Sequence, residues 1–111
     1  MKYNLYIGRW QTWHNGHEWL IRQQLDKGNK VWIAIRDVEV GPNNPKSAHE
    51  VMMSLMEVPF IKDNTDKLHI SIIPDIESIN YGRGVGYEVI EHFPPEDIKE
   101  ISGTKIRDGN N

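Results

Sequence analysis

An α/β fold follows from three features of the chain: apolar segments of strand length, helix-patterned segments between them, and turn residues at the junctions. Tyr3 to Ile7 alternates and is rich in Tyr, Leu and Ile, so it reads as a strand, ended by Gly8. A helix is predicted from Asn15 or His17 to Lys27. Ile21 and Leu25 share one face of it, Arg22, Gln23 and Asp26 turn outward, and Gly28-Asn29 supplies the stop. Val31 to Ile35 is nearly continuous in apolar residues, the type of strand that a parallel sheet buries on both faces.

A polar loop from Asp37 to Lys46 leads to Ser47-Ala48-His49-Glu50, a capping box. Ala48, Val51, Met52, Leu55 and Met56 continue the pattern as one helix face. Leu68 to Ile73 is a third strand, ended by Pro74, and shorter strands are predicted at Gly86 to Ile90 and Ile98 to Ile101, with a helix starting at Ser102. Strands that alternate with helices pair in parallel through right-handed crossovers. Residues 1–111 read as one domain, with no internal repeat and no low-complexity tract.

Bulk properties exclude several classes. The net charge of -3 argues against a dedicated nucleic-acid binder, which would carry a basic excess. With no cysteine there is no disulfide framework and no thiolate metal site, which fits a reducing cytoplasm. No apolar run approaches the roughly 20 residues that span a bilayer, and the N-terminus enters a strand without a signal-peptide pattern. A cytoplasmic protein with no membrane partner is expected, and so short a chain is compatible with a homo-oligomer.

The chemistry gathers after the first strand, in Gly8-Arg9-Trp10-Gln11-Thr12-Trp13-His14-Asn15-Gly16-His17. Open α/β sheets hold ligands outside the carboxyl ends of their strands, and helix N-termini offer N–H groups to anions. Gly8 and Gly16 would let a ligand approach the backbone. His14 and His17, three residues apart, fall on one side of a first helical turn and can donate to phosphate oxygens, while Arg9 adds a permanently charged fork. Zinc is disfavoured because no third ligand stands at a standard spacing. Trp10, Trp13 and Trp19 are candidates for stacking on a base, with packing near the helix as the alternative.

A second constellation, Ile101-Ser102-Gly103-Thr104-Lys105-Ile106-Arg107, again sets a strand end before a helix start. Ser102 can cap, Gly103 gives backbone access, Thr104 offers a hydroxyl, and Arg107 can neutralise a departing pyrophosphate.

Gly8 to His17 closely resembles the G-R-F-Q-P-x-H-x-G-H signature of the adenylyltransferase branch of the HIGH-motif nucleotidyltransferases. The second heptapeptide resembles their I-S-[SGT]-T-x-I-R signature. The nearest branch is the archaeal-type nicotinamide mononucleotide adenylyltransferases. Trp10 stands for the usual Phe and Thr12 for the usual Pro.

The resemblance implies a Rossmann-like three-layer sandwich with a five-stranded, mainly parallel sheet in the order 3-2-1-4-5. It implies catalytic roles for His14, His17 and Arg107, and nucleotide contacts from Gly8, Arg9, Trp10, Gly16, Ser102, Gly103 and Thr104. Arg36-Asp37 precedes Asn44-Pro45-Lys46-Ser47, as similar segments do in relatives, and the Arg usual after the following Glu is absent, Val51 standing after Glu50.

By the same resemblance Arg36 would face the acceptor, with Asp37 beside it at the strand end, and Arg83 is a further acceptor candidate on a lid. A surface salt bridge at Arg36 is the alternative, and Tyr81 to Tyr87 reads equally as a lid or as a turn between strands. The implied partners are a nucleoside triphosphate, ATP favoured over CTP by Arg9 and Gln11, and a small phosphorylated acceptor, with Mg²⁺ accompanying the triphosphate. Nicotinamide mononucleotide is the first acceptor; a cytidylyltransferase, a pantetheine-phosphate adenylyltransferase and a non-catalytic nucleotide-binding module are the alternatives.

Overall fold

β1 (Asn4–Gly8), β2 (Val31–Asp37) and β3 (Leu68–Pro74) form a parallel sheet in that spatial order, in a computed structural model that describes residues 2–84 and 86–96. Asn4 stands beside Val31 and Val31 beside Leu68, so the three strands start level and end together at one edge. α1 (Asn15–Leu25) crosses from β1 to β2. α2 (Ala48–Leu55) and the short α3 (Pro59–Lys62) cross from β2 to β3.

Both crossovers cover the same face. Ile21 and Leu25 of α1, Val51 and Leu55 of α2, and Phe60 and Ile61 of α3 join one core with Tyr6, Val31, Ile33 and Ile35. Those strand residues alternate along β1 and β2, as one face of a pleated sheet requires. The opposite face carries Leu5, Trp32 and His69 side by side; Leu5 and His69 are exposed and Trp32 half-buried. The described residues therefore make two layers, where the resemblance implied three.

Local signals account for the helices. Ser47 caps α2 by accepting from the Glu50 N–H at 3.1 Å, and the Glu50 carboxylate accepts from the Ser47 N–H at 2.9 Å. This is the expected box, and hydrogen bonding from the Ser47 backbone N–H and side chain holds the Glu50 carboxyl below its usual range. α1 ends two residues earlier than predicted, at Leu25, and Gly28, at φ +83°, lets the chain turn toward β2. α3 has no counterpart in the sequence reading; Pro59 opens it, and Phe60 and Ile61 plug the core.

The predicted strand at Gly86 to Ile90 is a correction. The sheet of the described residues has three strands, and β1 is its edge. Gly86 takes a positive φ, and Tyr87, Val89 and Ile90 are all exposed, so the segment is irregular and has no strand partner among the described residues. The predicted strand at Ile98 to Ile101 and the segment from Ser102 to Arg107 lie outside the described residues. Among the described residues no helix is long and apolar enough to cross a membrane.

Ile33 is fully buried at the centre of the sheet, whereas Leu5 retains 47% of its exposure on the uncovered face. Ile33→Ala should cost about 2–5 kcal/mol through lost burial and a cavity, and Leu5→Ala less than about 1 kcal/mol. Urea unfolding of the two variants checks the asymmetry; equal losses would mean that the second face is packed in solution.

Candidate functional site

All three strands deliver their carboxyl ends to one open cleft of about 620 Å³. Gly8 and Arg9 enter it from β1, Arg36 from β2, and Asp75 from the residue after β3; Glu39 and Asn44 come from the loop between β2 and α2. Two arginines thus face two carboxylates in a polar recess. Arg9 Nη1 donates to Asn44 Oδ1 at 3.0 Å, a neutral partner that leaves the cationic charge uncompensated. Arg36 Nε donates to Asp75 Oδ1 at 2.8 Å. The salt bridge that the sequence reading held as the alternative at Arg36 is therefore present, and it sits inside the cleft.

The loop after β1 is shaped by Trp10. Its φ of 54° is a left-handed conformation that a bulky residue adopts only under constraint, at a cost of about 1–3 kcal/mol. The constraint is visible. The indole folds back into the core, 3% exposed, and its Nε1 donates to the Ala34 carbonyl of β2 at 3.1 Å. It lies so close over Gly8 that a Cβ there would stand 3.1 Å from the ring. Gly8 thus accommodates Trp10, and the indole is packed rather than offered for base stacking.

Gln11 is 1% exposed and clamps Lys46 from both sides: its Nε2 donates to the Lys46 carbonyl and its Oε1 accepts from the Lys46 N–H, each at 2.9 Å. The sequence reading used Gln11 only to choose between branches. Between the clamp and the cleft, Gly41 and Asn44 exchange backbone hydrogen bonds in a tight turn that aims Asn44 at Arg9.

His14 and His17 stack at the start of α1, ring centroids 3.8 Å apart. His17 is 4% exposed and sits against Trp10 and Trp13 at 4.8 and 5.4 Å; Trp13 in turn stacks on Phe60 of α3. His14 is half-buried and is the N-cap: its Nδ1 accepts from the Gly16 N–H at 3.0 Å, and its carbonyl accepts from the N–H groups of His17 and Glu18. The helix start was expected to offer these N–H groups to an anion. Instead His14 uses them, and the group it presents outward is its own ring. An Nδ1 that accepts must be unprotonated, so the neutral ring carries its proton on Nε2 as a donor. Burial holds the His14 pKa below its usual value.

The structure brings Gly8, Arg9 and Arg36 together in the cleft. His14, Gly16 and His17 lie at the far end of the same loop and do not line it. Asp37 is exposed at the end of β2 and Arg83 in the turn before Gly84, and neither lines the cleft. Asn44 and Asp75 were not singled out from sequence. Asp75 follows a strand terminus, the same signal that picked out Arg36.

Among the described residues no three His, Asp or Glu side chains gather as a metal site. No family model, curated protein or solved structure matches the chain.

Replacing His14 by Asn keeps a good N-cap and removes the titrating ring. Because the folded chain holds the His14 pKa below its ordinary 6.5, the unfolded chain takes up the proton first. The resulting stability is present above about pH 6.5 and is lost as the pH falls toward the folded value. Urea unfolding should show wild type losing stability relative to His14→Asn between pH 7.5 and 5; parallel curves would contradict the cap. Gly8→Ala should displace the Trp10 indole, cost about 1–3 kcal/mol and red-shift tryptophan emission.

Proposed function

We propose that the chain is a nucleotidyltransferase, taking a nucleoside monophosphate from ATP, or from CTP, onto a small phosphorylated acceptor. The observation that carries this reading is the loop from Gly8 to His17: it joins an arginine-bearing polar cleft at the strand ends to a histidine whose capping bond fixes it as a neutral donor. The resemblance of that loop to the adenylyltransferase signature favours ATP, with nicotinamide mononucleotide as the first acceptor to try.

In this reading an oxygen of the acceptor phosphate attacks the α-phosphorus while the bond to the bridging oxygen of the β-phosphate breaks. The electron pair leaves with pyrophosphate. An acceptor that is already an anion needs no general base, so the protein's part is positioning and charge stabilisation. His14 donates from Nε2 to the α-phosphate as charge develops, with His17 behind it. Arg9 and Arg36 hold anionic groups in the cleft. Ser102, Gly103, Thr104 and Arg107, outside the described residues, are assigned to the leaving pyrophosphate by resemblance alone. Mg²⁺ arrives with the triphosphate as part of the substrate. The reading implies a cytoplasmic enzyme and no nucleic-acid partner.

The test is pyrophosphate release with ATP or CTP and a panel of phosphorylated acceptors. His14→Asn, which preserves the cap, should lower turnover about 10²–10³-fold, the range for losing one transition-state donor. Because His17 is packed between indoles, His17→Gln is a better probe than His17→Ala, which would leave a hole. Binding of nucleotide without turnover for any pair would replace the enzyme by a nucleotide-binding module. Unchanged turnover in His14→Asn would remove the assigned role.

A further inference from the structure

We infer that Asp75 is a positioning residue that presents Arg36 to the cleft as an anion-binding fork, the seat of the acceptor's phosphate. Naming the acceptor rests on the proposed function; the anion site itself does not.

Arg36 is the next-to-last residue of β2, paired in register with Ile73, and Asp75 follows the end of β3. The two are neighbours only because parallel strands bring their carboxyl ends level. Asp75 is fixed before it meets the guanidinium, since its Oδ1 also accepts from the Ile76 N–H at 2.9 Å. The carboxylate takes Arg36 through Nε, at 2.8 Å. Holding a guanidinium by Nε fixes the plane of the group and leaves its two terminal nitrogens, the flexible side chain having been immobilised for them. Among the described residues those terminal nitrogens have no hydrogen-bond partner.

Arg9 borders the same cleft with a neutral partner, so a second cationic charge stands ready for one oxyanion. As a stabilising contact the Arg36–Asp75 pair contributes little, because its side chains keep 31% and 47% of their exposure. Bidentate capture of a phosphate by a pre-oriented arginine is where such a pair has its effect.

Charge and orientation make opposite forecasts for Asp75→Asn. Removing a carboxylate beside an anion site strengthens anion binding on Coulomb grounds alone; releasing Arg36 from its fixed plane weakens it. Inorganic phosphate is the probe, titrated into the full chain by calorimetry, with the arginine Nε–H signals followed by NMR. Wild type should bind phosphate with a perturbed Arg36 signal. Asp75→Asn should bind at least fivefold more weakly and lose the protected Arg36 Nε–H signal, and Asp75→Glu should recover part of both.

Arg36→Lys, which keeps the charge and loses the fork, should weaken binding to a similar extent. Combining it with Asp75→Asn should add little further. Equal or tighter phosphate binding by Asp75→Asn overturns the inference, as does absence of binding to wild type, or additive losses in the double variant. If Asp75→Asn does not fold, the Asp75→Glu and Arg36→Lys comparisons decide alone. A chain that binds phosphate through Arg36 yet releases no pyrophosphate keeps this inference and loses the proposed function; the reverse pattern does the opposite.

Discussion

The indole of Trp10 is the constraint on which the rest of the site depends. By folding back over Gly8 and donating to the Ala34 carbonyl, it ties the end of the edge strand to the middle strand. The left-handed backbone at Trp10 costs energy that a buried indole and its hydrogen bond offset. Everything downstream inherits that geometry. Gln11 is carried inward to grip Lys46, which fixes the loop that supplies Asn44 and leads into the cap of α2. His17 packs against the same indole, so the histidine pair rests on the ring that turns the chain. One aromatic side chain thereby links the cleft at the strand ends to the start of α1.

The two halves of the site are built on different physics. The cleft relies on permanent charge: arginines whose partners differ in charge, Asn44 for one and Asp75 for the other, so that the local field is uneven across a few ångströms. The histidine pair relies on a hydrogen-bond count. Gly16, His17 and Glu18 all give their N–H groups to His14, so three amides of the first turn of α1 are satisfied internally. An anion that approaches the turn meets a side-chain donor rather than bare amides. Protonation at Nδ1 removes the acceptor and so breaks the cap, while Nε2–H remains a donor on a ring no longer held in place.

Much of the fold was legible because its signals are local. The capping box at Ser47 and Glu50, the turn at Gly28 and the apolar run from Val31 to Ile35 are each written within a few residues. What failed lacked a local signature. Phe60 and Ile61 sit in a helix of one turn, too short to show a period. Gly86 to Ile90 alternates like a strand, yet alternation makes a strand only where a neighbouring strand receives it.

The site divides in the same way. His14, His17, Arg9 and Arg36 could be picked out because residue type and position at a strand end suffice. Trp10 read as a stacking candidate because a left-handed φ leaves no trace in an aromatic residue. The grip of Gln11 on Lys46, and of Asp75 on Arg36, joins residues far apart in sequence, which only the fold brings together.

The order of the strands has a kinetic consequence. β1, β2 and β3 are neighbours in space in the order in which they are synthesised, each one crossover from the last. Among the described residues no strand is inserted between two already paired, so β2 can dock on β1 and β3 on β2 in turn. Each parallel pairing closes a crossover first, the second one carrying a long polar loop and two helices, so the loop entropy precedes the contacts that reward it. Asp75 follows β3, the last of these three strands. The ion pair inside the cleft consequently forms only once β3 has docked, late in the assembly of these strands rather than at its start.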